Sequence, residues 1–257
     1  MNLEERIESL LTRSLQGKDS ATHSFLHFKR TAIGARWFVE ILGGNRRDQE
    51  LAYIAGLLHD LDRPLSEEID HAEVSAAKAR EWLYGNFDLD ERDITRIVQA
   101  IRDHRLPVRW KTALHQSVYL SDKILEQMGA YVVFRRCLFI AECLDYRGLP
   151  FEEAMLCHWH SRSSRFNAKM FPCRFRKLVK YQYWWPAKFY EGFRKKKAYA
   201  IELTNFCYNE IIRGEKSVET MVNGFKPMED EGERFRKEAL LYITGEKFRE
   251  FKNLVDA

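Results

Sequence analysis

Apolar residues recur every three or four positions along most of the chain, and this spacing predicts an all-α protein. No segment alternates apolar and polar residues with an enrichment in Val, Ile and Thr, so no strand is predicted. Six prolines and thirteen glycines in 257 residues leave long helical patterns uninterrupted. The pattern predicts helices over residues 2–16, 24–42, 51–60, 70–84, 90–104, 112–125, 131–146, 151–160, 202–213 and 233–255.

The central stretch of this pattern, residues 51–60, is an apolar helix that ends in His59 followed by Asp60. Gly56 and the small residues near it lie on the same side as the imidazole and leave room beside it. A buried imidazole next to a carboxylate is a good half-site for a divalent metal ion. Taken by itself, the pair also fits a core histidine that is hydrogen-bonded to its neighbour.

Two other predicted helices place metal-ligating residue types at or beside the face that they bury. His27 lies beside the apolar stripe of residues 24–42. Asp122 interrupts the apolar stripe of residues 112–125, where a carboxylate is costly unless a cation meets it. With the pair at the end of the central helix, these residues form a mixed nitrogen and oxygen set suited to Mn, Fe, Zn, Ni or Mg. A buried salt bridge or a hydrogen bond between helices would also explain Asp122.

Two further histidines lie at predicted helix ends between these segments. His71 falls in the first turn of a helix that Asp70 is predicted to cap, and His104 extends an apolar stripe by one step. Each also has a simpler interpretation, as a solvent-exposed histidine at a helix start and as a capping histidine near a helix end. The remaining histidines are predicted to be structural or surface residues: His23, His115, His158 and His160.

Five short segments of residues 20–145 together resemble the HD superfamily of metal-dependent phosphohydrolases. The segments are His27-Phe28-Lys29-Arg30, Ala55-Gly56-Leu57-Leu58-His59-Asp60, His71-Ala72-Glu73-Val74-Ser75-Ala76-Ala77, Ile101-Arg102-Asp103-His104 and Leu120-Ser121-Asp122-Lys123-Ile124-Leu125. Many members follow the His-Asp pair with a hydrophobic residue, glycine and lysine, whereas Leu61-Asp62-Arg63 stands here. The spacing after Asp122 is one residue longer than in the commonest members. No Gly-Tyr-Pro follows, which disfavours a cyclic-di-GMP phosphodiesterase.

The resemblance implies which residues bind metal. One divalent ion (Mn, Fe, Ni, Zn or Mg) would be held by His27, His59, Asp60 and Asp122. Asp60 would also be catalytic, by orienting or deprotonating a metal-bound water. His71 and His104 are implied either as ligands of a second metal ion, which Asp60 would then bridge, or as contacts to phosphate.

The reaction implied is hydrolysis of a phosphate ester or a nucleotide, with a phosphorylated small molecule or nucleotide as the partner. Candidates for neutralising the charge of this substrate are Arg30, Arg63 and Lys123. A different alternative is an HD-fold oxygenase with two irons, since the same ligand set can hold them. The resemblance covers residues 20–145, so residues 146–257 are predicted to be a helical C-terminal extension, packed as a separate domain or with the first.

Residues 161–197 carry twelve Lys/Arg and one acid, Glu191, for a net charge of +11. The whole chain has a net charge of +4, so the rest of it is near −7. Aromatic residues are interleaved with these cations, which is typical of a surface that attracts phosphates and stacks on bases. A nucleic-acid- or nucleotide-binding protein is therefore an alternative function. Amphipathic helices with buried rings and solvated basic heads would produce the same composition.

The cysteine content and the hydropathy of the chain indicate the cellular compartment in which the protein is expected. The five cysteines form no Cys-x-x-Cys pair and are odd in number, which favours reduced thiols in a cytoplasmic protein. No apolar run is long enough to cross a membrane, and the acidic, amphipathic start lacks a signal-peptide core. The expectation is a cytoplasmic protein that has no contact with a membrane, with its oligomeric state left open.

Overall fold

The structure is a computed structural model that describes residues 2–15, 23–62, 70–215 and 217–255. The residues described contain helices and turns and no strand, so the predicted all-α fold is confirmed. None of the helices is long and apolar enough to span a bilayer. The described residues divide into two compact units, one that ends at Glu126 and one that begins at Gln127. The domain boundary predicted after residue 145 stays a prediction.

The first unit consists of six α-helices followed by a π-helical turn. In chain order they are α1 (Leu3–Leu15), α2 (Phe25–Ile41), α3 (Arg46–Leu58), α4 (His71–Asn86), α5 (Glu91–Arg102), α6 (Ala113–Leu120) and the π turn (Ser121–Glu126). Their apolar stripes share one core, which includes Phe28, Leu51, Ile54 and Ile97. Burial of these stripes removes apolar surface from water and holds the helix ends in place.

Several helix starts in this unit carry the polar caps that the sequence predicts. The Asp70 and Asp90 side chains accept hydrogen bonds from the backbone N–H groups of Ala72 and Arg92. The Thr112 hydroxyl accepts from the backbone N–H of His115. These caps satisfy backbone donors that have no partner within the helix, and they fix where each helix begins.

The second unit contains seven α-helices and three short 3₁₀ turns. The helices are α7 (Ala130–Glu142), α8 (Phe151–Arg165), α9 (Arg176–Arg194), α10 (Ala198–Ile212), α11 (Val218–Gly224), α12 (Asp230–Ile243) and α13 (Lys247–Val255). The 3₁₀ turns are Leu144–Tyr146, Ala168–Met170 and Cys173–Phe175. Its interior is rich in aromatic rings, among them Phe134, Phe189, Phe225 and Phe235.

Some predicted boundaries differ from the structure. The central helix begins earlier, at Arg46, and ends at Leu58, so His59 and Asp60 lie in the turn that follows. The helix predicted over 233–255 is two helices, because Gly245 adopts a φ of +79° between them. Glycine reaches this left-handed conformation at little cost, whereas a continuous helix excludes it.

Candidate metal centre

The turn after α3 places His59 and Asp60 inside the first unit, where both side chains are buried. The Nδ1 atom of His59 donates a hydrogen bond of 2.8 Å to the carbonyl of Gly56, one turn earlier. A carbonyl can only accept, so the proton of this imidazole is on Nδ1 and Nε2 carries a lone pair. The end of α3 therefore presents a metal-ligating nitrogen to the interior.

His27 reaches the same place because α2 and α3 pack unusually closely. A side chain on Gly56 would put its Cβ 2.5 Å from the Cα of Ala32, so only glycine permits this approach. As a result the rings of His27 and His59 lie 5.1 Å apart, measured between centroids. The closeness of the two helices thus sets the distance between the two histidines.

The π turn carries Asp122 to the centre and is anchored on α2. The Ser121 hydroxyl donates a hydrogen bond of 2.8 Å to the carbonyl of Thr31. Opposite it, a Cβ on Gly34 would lie 2.3 Å from the Ser121 oxygen, so a side chain there would push the turn away. A π turn holds one more residue than an α turn, and such turns are frequent at functional sites. The extra residue seen in the spacing after Asp122 coincides with this turn.

The predicted ligands come together in two overlapping groups. One ligand atom from each of His27, His59 and Asp122 lies within 4.8 Å of the others. The same holds for His59, Asp60 and His104. The structure thus brings together all four residues predicted for the first metal and one of the two predicted for a second. All of these side chains are buried.

The two oxygens of Asp60 face different histidines. Oδ2 lies 3.6 Å from Nε2 of His59 and 3.8 Å from Nε2 of His23. Oδ1 lies 3.7 Å from Nε2 of His104 and 3.8 Å from Nε2 of His71. These distances are too long for direct hydrogen bonds. Ligand atoms that share one metal at bond lengths of about 2.1 Å are separated by about 3–3.5 Å. The four spacings here are slightly longer, so an ion has room between these atoms and would draw them closer.

Three of the histidines hold the tautomer that a metal requires. His104 donates from Nδ1 to the carbonyl of Ile101 at 2.6 Å, as His59 does to Gly56. His27 Nδ1 lies 2.7 Å from Oε2 of Glu126, a carboxylate that can only accept when ionised. Among the residues described, the buried Nε2 atoms of His59 and His104 have no hydrogen-bond partner. A divalent cation would satisfy both nitrogens, so the donor set fits one.

The charge states of the centre also suit a cation. Burial lowers the pKa of His104 to about 3, and His59 acts in the same direction, so this imidazole is neutral near pH 7. Burial by itself raises the pKa of the Asp122 carboxyl, but the ammonium of Lys123 holds it well below its usual range. Neutral imidazoles and ionised carboxylates are the forms that bind metal.

The residues predicted to contact substrate occupy different surroundings. Arg30 donates from Nε and Nη2 to the Glu126 carboxylate at 3.0 and 3.3 Å. Lys123 lies 2.7 Å from Oδ2 of Asp122. Arg63 lies outside the described residues. The substrate contacts predicted for these three residues stay predictions.

Two residues of the centre were not among the predicted site residues. Glu126 is fully buried and contacts both His27 and Arg30. Its signal in the sequence is a second carboxylate four residues after Asp122 on an apolar helix face. His23, predicted to be structural or a surface residue, lies beside Asp60, and its ring centroid is 5.7 Å from that of His27. Its position four residues before His27 is the only sign of this in the sequence.

Residues 25–145 match the family model described as the HD domain, and this match spans the whole set of predicted ligands. The protein contains an HD domain. This match confirms the resemblance, and the HD-domain family typically binds divalent metals. The chain also carries the His and Asp groups that such binding needs.

One solved structure resembles this HD-domain chain. It is the crystal structure of a predicted HD superfamily hydrolase from an uncultured Thermotogales bacterium. The two sequences are 20% identical, and the likeness covers 76% of this chain and 99% of that chain with a TM-score of 0.49. No curated protein matches the sequence significantly.

Proposed function

We propose that the HD domain hydrolyses a phosphate ester or a nucleotide by means of a divalent metal ion held by His27, His59, Asp60 and Asp122. The observation that carries this proposal is the orientation of the imidazoles. His59 and His104 have their Nδ1 protons occupied by carbonyl groups and their buried Nε2 atoms near Asp60. An apolar core would not retain two such nitrogens without a ligand, because a buried polar atom with no partner is costly.

The two carboxylate oxygens of Asp60 lie near different histidines, and this supports a site for a second cation. The Oδ2 side faces the first group of ligands, whereas Oδ1 faces His71 and His104. In our proposal Asp60 bridges two metal positions, and His71 and His104 complete the second. If only one ion binds, the same two imidazoles remain near enough to contact a phosphoryl oxygen.

The chemistry follows from this arrangement. A bound divalent ion lowers the pKa of a coordinated water and polarises a phosphoryl oxygen. The chain supplies the neutral imidazole of His104, whose pKa burial lowers to about 3, and the ionised carboxylate of Asp122. Asp60 would accept a hydrogen bond from the attacking water and orient it toward phosphorus. The substrate class is a phosphorylated small molecule or nucleotide.

The test compares hydrolysis by the wild type and by Asp60→Asn with added Mn²⁺, Ni²⁺ or Mg²⁺, measured as phosphate released from phosphomonoesters and as the organic product formed from phosphodiesters and nucleotides. The amide keeps the shape of the side chain but removes its charge, and we expect activity to fall at least 100-fold. Asp62→Asn is the matched control, since Asp62 is exposed, lies two residues away and keeps its backbone bonds with Ser75.

Equal activity of wild type and Asp60→Asn would remove the mechanism. Metal analysis of the purified protein adds an independent readout, because Asp60→Asn should lose bound metal whereas Asp62→Asn should not. Bound iron together with oxygen consumption, and no phosphate release, would instead identify the oxygenase alternative.

A further inference from the structure

Helix α9 of the second unit has one buried face and one strongly basic face. Its buried face includes Leu178, Val179, Trp185 and Phe189, which pack in the aromatic core of the unit. The opposite face carries exposed cations at both ends of the helix: Arg176, Lys177 and Lys180 near its start, and Arg194 at its end, followed by Lys195, Lys196 and Lys197. Residues four apart on a helix are separated by about 6 Å along its axis, so these cations form a stripe.

Much of this charge is not neutralised within the molecule. Lys188 and Lys195 form ion pairs of 2.6 Å with Glu231 and Glu191. In the part of the chain that the structure describes, no ion pair with an acid involves Lys169, Arg176, Lys180, Arg194, Lys196 or Lys197. Glu191, the one exposed acid on this face, pairs with Lys195, so the remaining cations give the face a positive field that attracts a polyanion.

An exposed indole lies in the middle of the stripe. Trp184 is 43% exposed, whereas the other nine aromatic residues of 161–197 are buried or half-buried. The ammonium of Lys188 lies 4.7 Å from the centroid of this ring. One residue earlier, Tyr183 stacks flat on Phe166, with centroids 3.5 Å apart and planes 6° from parallel. The Trp184 ring also packs edge to face on Trp185, with centroids 4.8 Å apart, and the Arg234 guanidinium lies 6.0 Å from its centroid, so the exposed part of the indole lies between two cations.

We propose that this face of α9 binds single-stranded nucleic acid, a function beyond the proposed hydrolysis. The cations would contact successive phosphates, and Trp184 would stack on a base, a combination that recurs in proteins that bind single strands. A duplex keeps its bases stacked and offers the indole no free face. A membrane surface is disfavoured, because a helix that lies on lipid exposes its apolar face, whereas the apolar face of α9 is buried.

The first experiment measures binding of the full chain to a fluorescent 20-nucleotide oligothymidylate by anisotropy over a range of salt. We expect wild-type affinity to fall steeply with salt. Arg176→Glu/Lys180→Glu should weaken binding more than tenfold and make the salt slope shallower by about 1.4, because each phosphate contact on a single strand contributes about 0.7. Arg147→Glu/Lys226→Glu changes net charge equally at exposed positions off α9 and should leave binding unchanged.

The second experiment tests the indole. Trp184→Ala should weaken binding about tenfold, whereas Trp184→Phe should retain most of it, because stacking needs only an aromatic ring. An abasic strand of equal length should bind wild type as weakly as the oligothymidylate binds Trp184→Ala. Thermal unfolding of every variant checks that the second unit remains folded, so that a loss of binding reports on the surface.

Three outcomes would overturn the proposal. Equal loss in the two charge-reversal variants would show attraction to net charge alone. Equal binding of the abasic strand and the oligothymidylate would leave a phosphate-binding face without base recognition. Binding to phosphatidylserine vesicles, with none to the oligonucleotide, would assign the face to a membrane.

Discussion

At the scale of single residues, Glu126 controls the state of a predicted metal ligand. Its buried carboxylate accepts from Nδ1 of His27 at 2.7 Å and from two nitrogens of Arg30. The hydrogen bonds from Arg30 orient this carboxylate, and the carboxylate in turn accepts the His27 proton on Nδ1. A carboxylate behind a ligating imidazole orients the ring and raises its basicity. Glu126 is thus a positioning residue for His27.

We therefore expect Glu126→Gln to lower metal affinity by about ten- to 100-fold, the usual effect of losing such a partner. Affinity is measured by competition with a chromophoric chelator, and the melting temperature in EDTA reports separately on the fold. Arg30→Met is the comparison, because it leaves the contact between His27 and Glu126 in place. Wild-type metal affinity in Glu126→Gln, or an equal loss in Arg30→Met, would contradict this role.

The sequence predicts individual site residues only where polarity conflicts with an apolar pattern. Asp122 is conspicuous because it interrupts an apolar stripe, and His59 because it ends one. Their assembly in one place is therefore predictable from pattern and resemblance. Glu126 and His23 are not, since their importance depends on which side chains they meet across the interior. A single sequence contains no distance between residues far apart along the chain.

At the scale of elements, the contact between α2 and α3 sets the geometry of the centre. Gly56 lies against the backbone of Ala32, with 2.5 Å between its Cβ position and the Ala32 Cα. Backbone cannot move aside as a flexible side chain does, so a methyl group here must separate the helices. Separation would move His27 away from His59, since each helix carries one of them.

Gly56→Ala should therefore destabilise the protein by about 1–3 kcal/mol, the usual cost of overpacking, and lower its metal content. Gly85→Ala is the matched control, because Gly85 also lies in a helix but has nothing within 4 Å of its Cβ position. There the same methyl group should be neutral or stabilise by about 0.5–1 kcal/mol. Urea unfolding and metal analysis measure both effects, and equal behaviour of the two variants would refute the packing argument.

Element types were predictable, whereas local irregularities were not. Helical spacing over long segments is a strong signal, and capping residues such as Asp70 and Asp90 mark the starts correctly. From the sequence, Ser121–Glu126 is predicted to be ordinary α-helix. Six residues are too few to distinguish the apolar spacing of a π-helix from that of an α-helix. The close packing of α2 against α3 could not be predicted either, because the sequence shows that Gly56 lies in a helix but not which residue it contacts.

At the scale of the whole molecule, the predicted ligands all belong to the first compact unit. Metal binding should therefore stabilise that unit selectively. An ion at 100 times its dissociation constant adds about 2.7 kcal/mol to the stability of the state that binds it. Residues from Gln127 onward supply none of these ligands.

Removal of metal with EDTA should thus speed backbone hydrogen exchange in α2, α3 and the π turn, and leave α9 and α12 unchanged. Exchange followed by mass spectrometry measures this, with Asp60→Asn as the variant in which EDTA has no effect. An equal change across both units, or none in the first, would argue against an ion held by this ligand set.

The bond between His27 and Glu126 joins positions 99 residues apart. All the ligands that we propose lie in this span of the chain, from His27 to Asp122, and the π turn is the last element of the span. During synthesis on the ribosome, a nascent chain that stops before residue 126 lacks the carboxylate that sets the His27 tautomer. An ion held as we propose could therefore be bound in its final form only after the whole segment has left the exit tunnel.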